Sequence, residues 1–177
     1  MQITIGGVLG AGKSTVAKLI AEKLGYKSYS MGAIRREIAG SRRLTIDEFN
    51  SLPENTDEVV DEYQKKLGKV GDNFVNEGRL AFYFMPESMK IYLHCDVEVA
   101  AARIFRDQRR SEQEYSLIAE VAMSIQKRMK SDRERYSQHY GVDCYDTSQF
   151  DRVIDTTNKT AHEVAEEILS IVEAQKK

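Results

Sequence analysis

The chain has 177 residues, the size of one ordinary domain, with 41% hydrophobic and 31% charged residues; that balance fits a packed core and excludes a disordered chain. A formal net charge of −2 gives no bulk attraction for nucleic acid, and no apolar run approaches the ~20 residues of a membrane span, so neither partner is expected. Cys95 and Cys144 lack metal-ligand spacing and read as reduced thiols; with no leader pattern before the first strand, a cytoplasmic location is expected.

A short β-branched strand is predicted over residues 2–6. Directly after it comes Gly7-Val8-Leu9-Gly10-Ala11-Gly12-Lys13-Ser14, with the spacing G-x-x-x-x-G-K-[ST]. A helix then runs from Thr15, with apolar residues at 16, 19, 20 and 24 and Gly25 as its stop signal. Strand, glycine turn and helix in that order surround a polyphosphate with backbone N–H groups at the positive end of a helix. Residues 7–15 are therefore expected to bind ATP. Lys13 can reach the β and γ phosphates, and the Ser14 hydroxyl can ligate Mg²⁺.

Further strands are predicted at 26–30, 73–76, 90–94 and 153–155. Between them lie helical patterns at 31–40, 45–52, 57–69, 96–109 and 160–174, and one long helix or a helix pair at 112–138. Thr45 with Glu48 forms a capping box, and Asp96 is expected to cap the helix it opens. Short apolar strands alternating with helices predict a parallel sheet covered on both faces. Right-handed crossovers make this a three-layer α/β/α fold with ligands at the carboxyl ends of the strands.

Two segments, 32–70 and 108–145, leave that core from its carboxyl edge and should flank the triphosphate. We expect them to close over it, and their arginines to lack partners until they do. Seven arginines lie between Arg103 and Arg135. Such clustering can grip phosphate oxygens or can be an ordinary solvated helix face, and by itself it leaves both open. Arg128, Asp132 and Arg135 stand at i, i+4, i+7 and share one face, whereas Arg35 is not expected to face the same way as Arg36.

Ser30-Met31-Gly32-Ala33-Ile34-Arg35-Arg36, Glu77-Gly78-Arg79, Arg128-x-x-x-Asp132-x-x-Arg135-Tyr136 and Tyr140-Gly141-Val142-Asp143 together resemble the nucleoside monophosphate kinases. Within them, the resemblance is to the short, archaeal-type cytidylate kinases, and it covers nearly the whole chain. Adenylate kinases carry Asp-Gly-Phe-Pro-Arg after the third strand, whereas here Arg79 follows the glycine at once. The resemblance implies a P-loop kinase fold with a five-stranded parallel sheet. One domain over 1–177 would then carry a helical monophosphate-binding insertion, 32–70, and a helical lid, 108–145. It also implies transfer of a phosphoryl group from ATP to CMP or dCMP by a monomer.

Site roles follow from the same resemblance. Ser30, Arg36 and Arg79 would bind the monophosphate. Arg128 and Arg135 would close over both phosphates, and Asp132 would orient them or contact the acceptor ribose. With Lys13, these three form the expected catalytic set. Mg²⁺ would be held by Ser14 and, through water, by Glu77. Arg103 and the loop 156–159 would flank the donor adenine. Leu80 stands where long-form enzymes keep an aspartate, so polar base recognition must come from elsewhere. Asp61 and Gln64, on one face of the insertion helix with Asp57, are the expected cytosine readers; a solvated helix face is the alternative. Other readings are a kinase for AMP, UMP or another small acceptor, and a nucleotide-binding regulator without turnover.

Overall fold

The computed structural model describes residues 1–52, 56–107 and 115–175. Its five strands are β1 (Gln2–Gly7), β2 (Lys27–Ser30), β3 (Phe74–Glu77), β4 (Met89–His94) and β5 (Arg152–Asp155). All neighbours pair in parallel, in the order β2-β3-β1-β4-β5. Strand position explains strand composition. β1, β3 and β4 are central and almost wholly buried, and they carry the apolar runs. β2 and β5 are edges, and their sequences KSYS and RVID leave polar residues in solvent.

The order also decides what meets at the carboxyl edge. Ile5 of β1 and Ser30 of β2 both stand opposite Glu77 of β3. The glycine loop after β1 and the Glu77-Gly78-Arg79 turn after β3 thus leave the sheet side by side.

Helices cover both faces. α1 (Lys13–Leu24) ends where expected: Gly25, at φ 67°, donates its N–H to the Ala21 and Glu22 carbonyls. It packs against α8 (Ala161–Gln175), which buries Val164, Ile168 and Val172. The regular elements of the insertion, among the described residues, are all helices: α2 (Met31–Ser41), α3 (Ile46–Asn50) and α4 (Glu58–Val70). It holds a small core of its own around Ala39, Ile46 and Phe49. The Thr45–Glu48 capping box forms, with the Glu48 N–H donating to Thr45 Oγ1 at 3.2 Å and the Thr45 N–H to Glu48 Oε2 at 2.8 Å.

Three helical expectations change. After β3 the chain makes a four-residue helix, α5 (Ala81–Phe84), too short to show a period in sequence. α6 (Val97–Arg106) does begin after Asp96, but the Asp96 side chain makes no capping hydrogen bond. That carboxylate points into solvent near His94 Nε2, at 3.8 Å, and the Asp96 N–H is taken by Thr157 Oγ1. The polar stretch before the last strand is one helix, α7 (Ile118–Tyr140), closed by Gly141 at φ 68° and packed on α6. The expected helices are longer: Asp107 already caps α6, and residues 115–117 are not helical, Leu117 being extended before α7, while residues 108–114 lie outside the described ones.

Candidate active site

The glycine loop is shaped by close contact as much as by hydrogen bonds. Gly7 has φ +132°, and a Cβ there would lie 2.2 Å from the Leu93 carbonyl oxygen of β4. Gly10 has φ +77°, and a Cβ there would lie 2.7 Å from Ala100 of α6. Only glycine fits both the left-handed backbone and the space. The loop wraps around the half-buried Lys13, whose ammonium donates to the carbonyls of Gly7 (2.9 Å) and Val8 (2.6 Å). Removal from water, aided by the Arg79 guanidinium, lowers the Lys13 pKa to about 8. Ser14 Oγ donates to Glu77 Oε1 at 3.0 Å, and Ser30 Oγ donates to the same oxygen while capping α2 by accepting from the Ala33 N–H.

A cavity of about 560 Å³ opens over this loop, lined by residues 9–16 with Arg103, Thr156 and Lys159 across from them. Arg103 does not simply face it. Its Nη2 donates to the carbonyls of Thr156 (2.7 Å) and Lys159 (3.2 Å), and its Nη1 to Thr156 Oγ1 (3.3 Å), so it holds the 156–159 loop as that cavity's wall.

A second cavity of about 610 Å³ adjoins the first, and Leu9, Gly32, Arg36, Arg79 and Tyr115 line both. Its far walls bring in Arg128, Asp132 and Arg135 of α7, as their shared face predicts. One sequence expectation fails: Arg35 and Arg36 both line this cavity. The long Arg35 side chain reaches around α2 because Asn50 Oδ1 (2.8 Å from Nε), Thr56 Oγ1 (2.6 Å from Nη2) and Asp57 draw it there.

A second correction concerns the arginines expected to lack partners. They form a row of alternating charge. Arg79 pairs through Nε with Asp132 Oδ2, and Asp132 Oδ1 meets Arg135 Nη2 at 3.1 Å. Arg135 Nε lies 2.9 Å from Asp57 Oδ2, and Asp57 Oδ1 lies 2.5 Å from Arg35 Nη1. The Arg135 Nε–H is not aimed at the carboxylate. That contact is Coulombic, and the buried donor has no hydrogen-bond acceptor among the described residues. Tyr145 donates to Asp132 Oδ2 at 2.8 Å. Burial raises the Tyr145 and Tyr136 phenols above their usual range, so both stay protonated donors near neutrality. The Asp132 carboxylate keeps Arg79 firmly charged against its own desolvation.

Asp61 and Gln64 are buried on α4 and are not among the residues lining the second cavity. Asp61 accepts a hydrogen bond from Tyr140 at the end of α7; burial raises its pKa to about 6. Gln64 Oε1 is buried without a hydrogen-bond partner among the described residues and stands 3.6 Å from where a Gly78 Cβ would be. Sequence reasoning missed Asp57 as a bridge and Tyr145 altogether. Asp57 had a signal, its place on the Asp61 face; Tyr145 lies in irregular chain where no periodicity could point to it.

Comparison with known proteins bears on this geometry. Residues 2–158 match the model of the cytidylate kinase-like family. A cytidylate kinase of Archaeoglobus fulgidus is 33% identical over 180 residues, covering 99% of this chain and 97% of its own. One of Sulfolobus acidocaldarius is 35% identical over 177 residues, covering 97% and 94%. Among solved structures, a shikimate kinase of Acinetobacter baumannii superposes with a TM-score of 0.64 at 21% identity, over 99% of this chain and 94% of its own. That last likeness speaks to the fold alone.

Proposed function

The chain belongs to the cytidylate kinase-like family, and from that premise we propose that it transfers the γ-phosphoryl group of ATP to CMP, with dCMP as a second acceptor. The observation that carries this reading is the junction of the two cavities at Arg36 and Arg79. A triphosphate on the glycine loop and a monophosphate on these guanidinium groups would meet there.

An oxygen of the CMP phosphate attacks the γ phosphorus in line with the bond to the bridging oxygen, and ADP leaves. That attacking oxygen is already ionised near neutral pH, so no protein base is required. Positioning and charge neutralisation carry the rate. Lys13 serves the β and γ phosphates. Ser30, Arg36 and Arg79 hold the acceptor phosphate, and Arg128, Asp132 and Arg135 close the site from α7. The donor set suits magnesium: Ser14 Oγ and the Glu77 carboxylate are adjacent hard oxygens. Ser14 would hold the ion directly and Glu77 through water, and the ion would neutralise charge on the phosphate oxygens.

Asp61 and Gln64 remain our reading of the base site. The 4-amino group of cytosine carries two N–H donors, and this pair offers two acceptors, one of them Gln64 Oε1, which has no hydrogen-bond partner among the described residues. A uracil carbonyl there could not donate to either acceptor. Tyr140, which now donates to Asp61, would give way to the base. We read the protein as a monomer of the cytoplasm without nucleic-acid partners; among the described residues no helix is long and apolar enough to cross a membrane.

ADP release measured across CMP, dCMP, UMP, AMP and GMP tests the proposal. CMP and dCMP are expected to lead in kcat/KM by ~10–100-fold. Equal use of UMP refutes the base reading, and no turnover with any nucleoside monophosphate refutes the kinase reading.

A further inference from the structure

We propose that Asp57 is a positioning residue for phosphoryl transfer: it sets the Arg135 guanidinium of α7 against the acceptor site while itself touching no substrate. Asp57 is 4% exposed and stands immediately before α4. Its two oxygens serve two elements. Oδ1 lies 2.5 Å from Arg35 Nη1 of α2, and Oδ2 lies 2.9 Å from Arg135 Nε of α7. One carboxylate thus ties the first and last helices of the insertion to the helix that supplies Arg135.

The two arginines are held differently. Arg35 also donates through Nε to Asn50 Oδ1 and through Nη2 to Thr56 Oγ1, so it braces the segment that carries Asp57. Arg135 has Nε at Asp57, Nη2 shared between Asp132 and the Tyr136 hydroxyl, and its guanidinium carbon 4.8 Å over the Tyr136 ring. With Nη2 hydrogen-bonded to protein and Nε buried against the Asp57 charge without a hydrogen bond among the described residues, Nη1 is the donor group expected to serve an anion in the cavity Arg135 lines.

Charge balance makes the same point. In the row Arg79–Asp132–Arg135–Asp57–Arg35, removing Asp57 leaves three guanidinium groups around one carboxylate. Arg35 and Arg135 would then repel each other inside a partly desolvated wall, and Arg135 would lose its direction.

The inference rests on the reading that Arg135 contacts the phosphates, and a set of three variants separates the two claims. Asp57→Asn keeps the side-chain volume and removes the charge. It is expected to lower kcat by ~10–100-fold, the scale of a misplaced catalytic contact, with KM for ATP unchanged. Arg135→Ala should lower kcat at least as far. The double variant should be no worse than Arg135→Ala alone, because Asp57 acts through Arg135. Losses that multiply, or wild-type kcat in Asp57→Asn, overturn the proposal. Wild-type kcat in Arg135→Ala instead overturns the role given to Arg135. If Asp57→Asn fails to fold, the pair Arg35→Gln with Asp57→Asn removes one charge of each sign and takes its place in the same comparison.

Discussion

Lys13 is the residue whose surroundings most directly set chemistry. Its ammonium sits inside its own loop, against the carbonyls of Gly7 and Val8, and burial and Arg79 together bring its pKa to about 8. Below that pH the free enzyme holds the charged form, and above it the neutral form. A triphosphate binds the charged form and raises the pKa again once bound. The ratio kcat/KM for ATP, which reports the free enzyme, should therefore be level up to about pH 7.5 and then fall ~10-fold per unit above pH 8. Turnover at saturating substrates should hold to higher pH. A pH–rate profile checks this, and a profile for kcat/KM that stays level to about pH 10 contradicts it. Arg79 belongs at the same scale. In the role proposed for it, its pairing with Asp132 would present an incoming phosphate with an oriented guanidinium rather than a searching one.

At the scale of the element, the contact between the glycine loop and α6 separates two kinds of glycine. Gly10 lies at φ +77°, and a side-chain carbon added there would sit 2.7 Å from Ala100, so it can accept neither the backbone strain nor the volume of an alanine. Gly10→Ala is expected to cost ~1–3 kcal/mol of stability and to raise KM for ATP several-fold as the loop is pushed off α6. Gly40, inside α2, has ordinary backbone and nothing within 4 Å of an added carbon. Gly40→Ala should stabilise by ~0.5–1 kcal/mol and leave the kinetics alone. Thermal melts and ATP titrations of the two variants read both effects. Wild-type ATP kinetics in Gly10→Ala would show that this contact is not what shapes the loop, and destabilisation by Gly40→Ala would contradict the open space found at that position.

Across the whole molecule, the insertion and α7 are already joined. The Arg135–Asp57 and Tyr140–Asp61 contacts cross between them. Closure over substrates, on the reading proposed here, would then add phosphate oxygens to arginines that stay paired with their carboxylates, rather than bring together two unpaired flaps. A bisubstrate analogue joining adenosine and cytidine through phosphates should slow amide exchange in α2, α4 and α7 beyond what ATP alone achieves. Identical protection with either ligand would refute coupled closure.

Local chemistry made much of this legible in advance. The glycine loop, its flanking strand and helix, all five strands and the Arg128–Asp132–Arg135 face depend on short-range spacing, which a sequence displays directly. The tertiary structure alone decided which charges meet. Asp57 lies 22 residues from Arg35, and it meets Arg135 only because α4 and α7 come together beyond the carboxyl edge of the sheet. No period or motif encodes a pairing between elements so far apart. The same holds for Tyr145 on Asp132 and Tyr140 on Asp61, which arise from packing in three dimensions. Sequence therefore determined where phosphate is proposed to bind, and the fold determined how the arginines that would grip it are held.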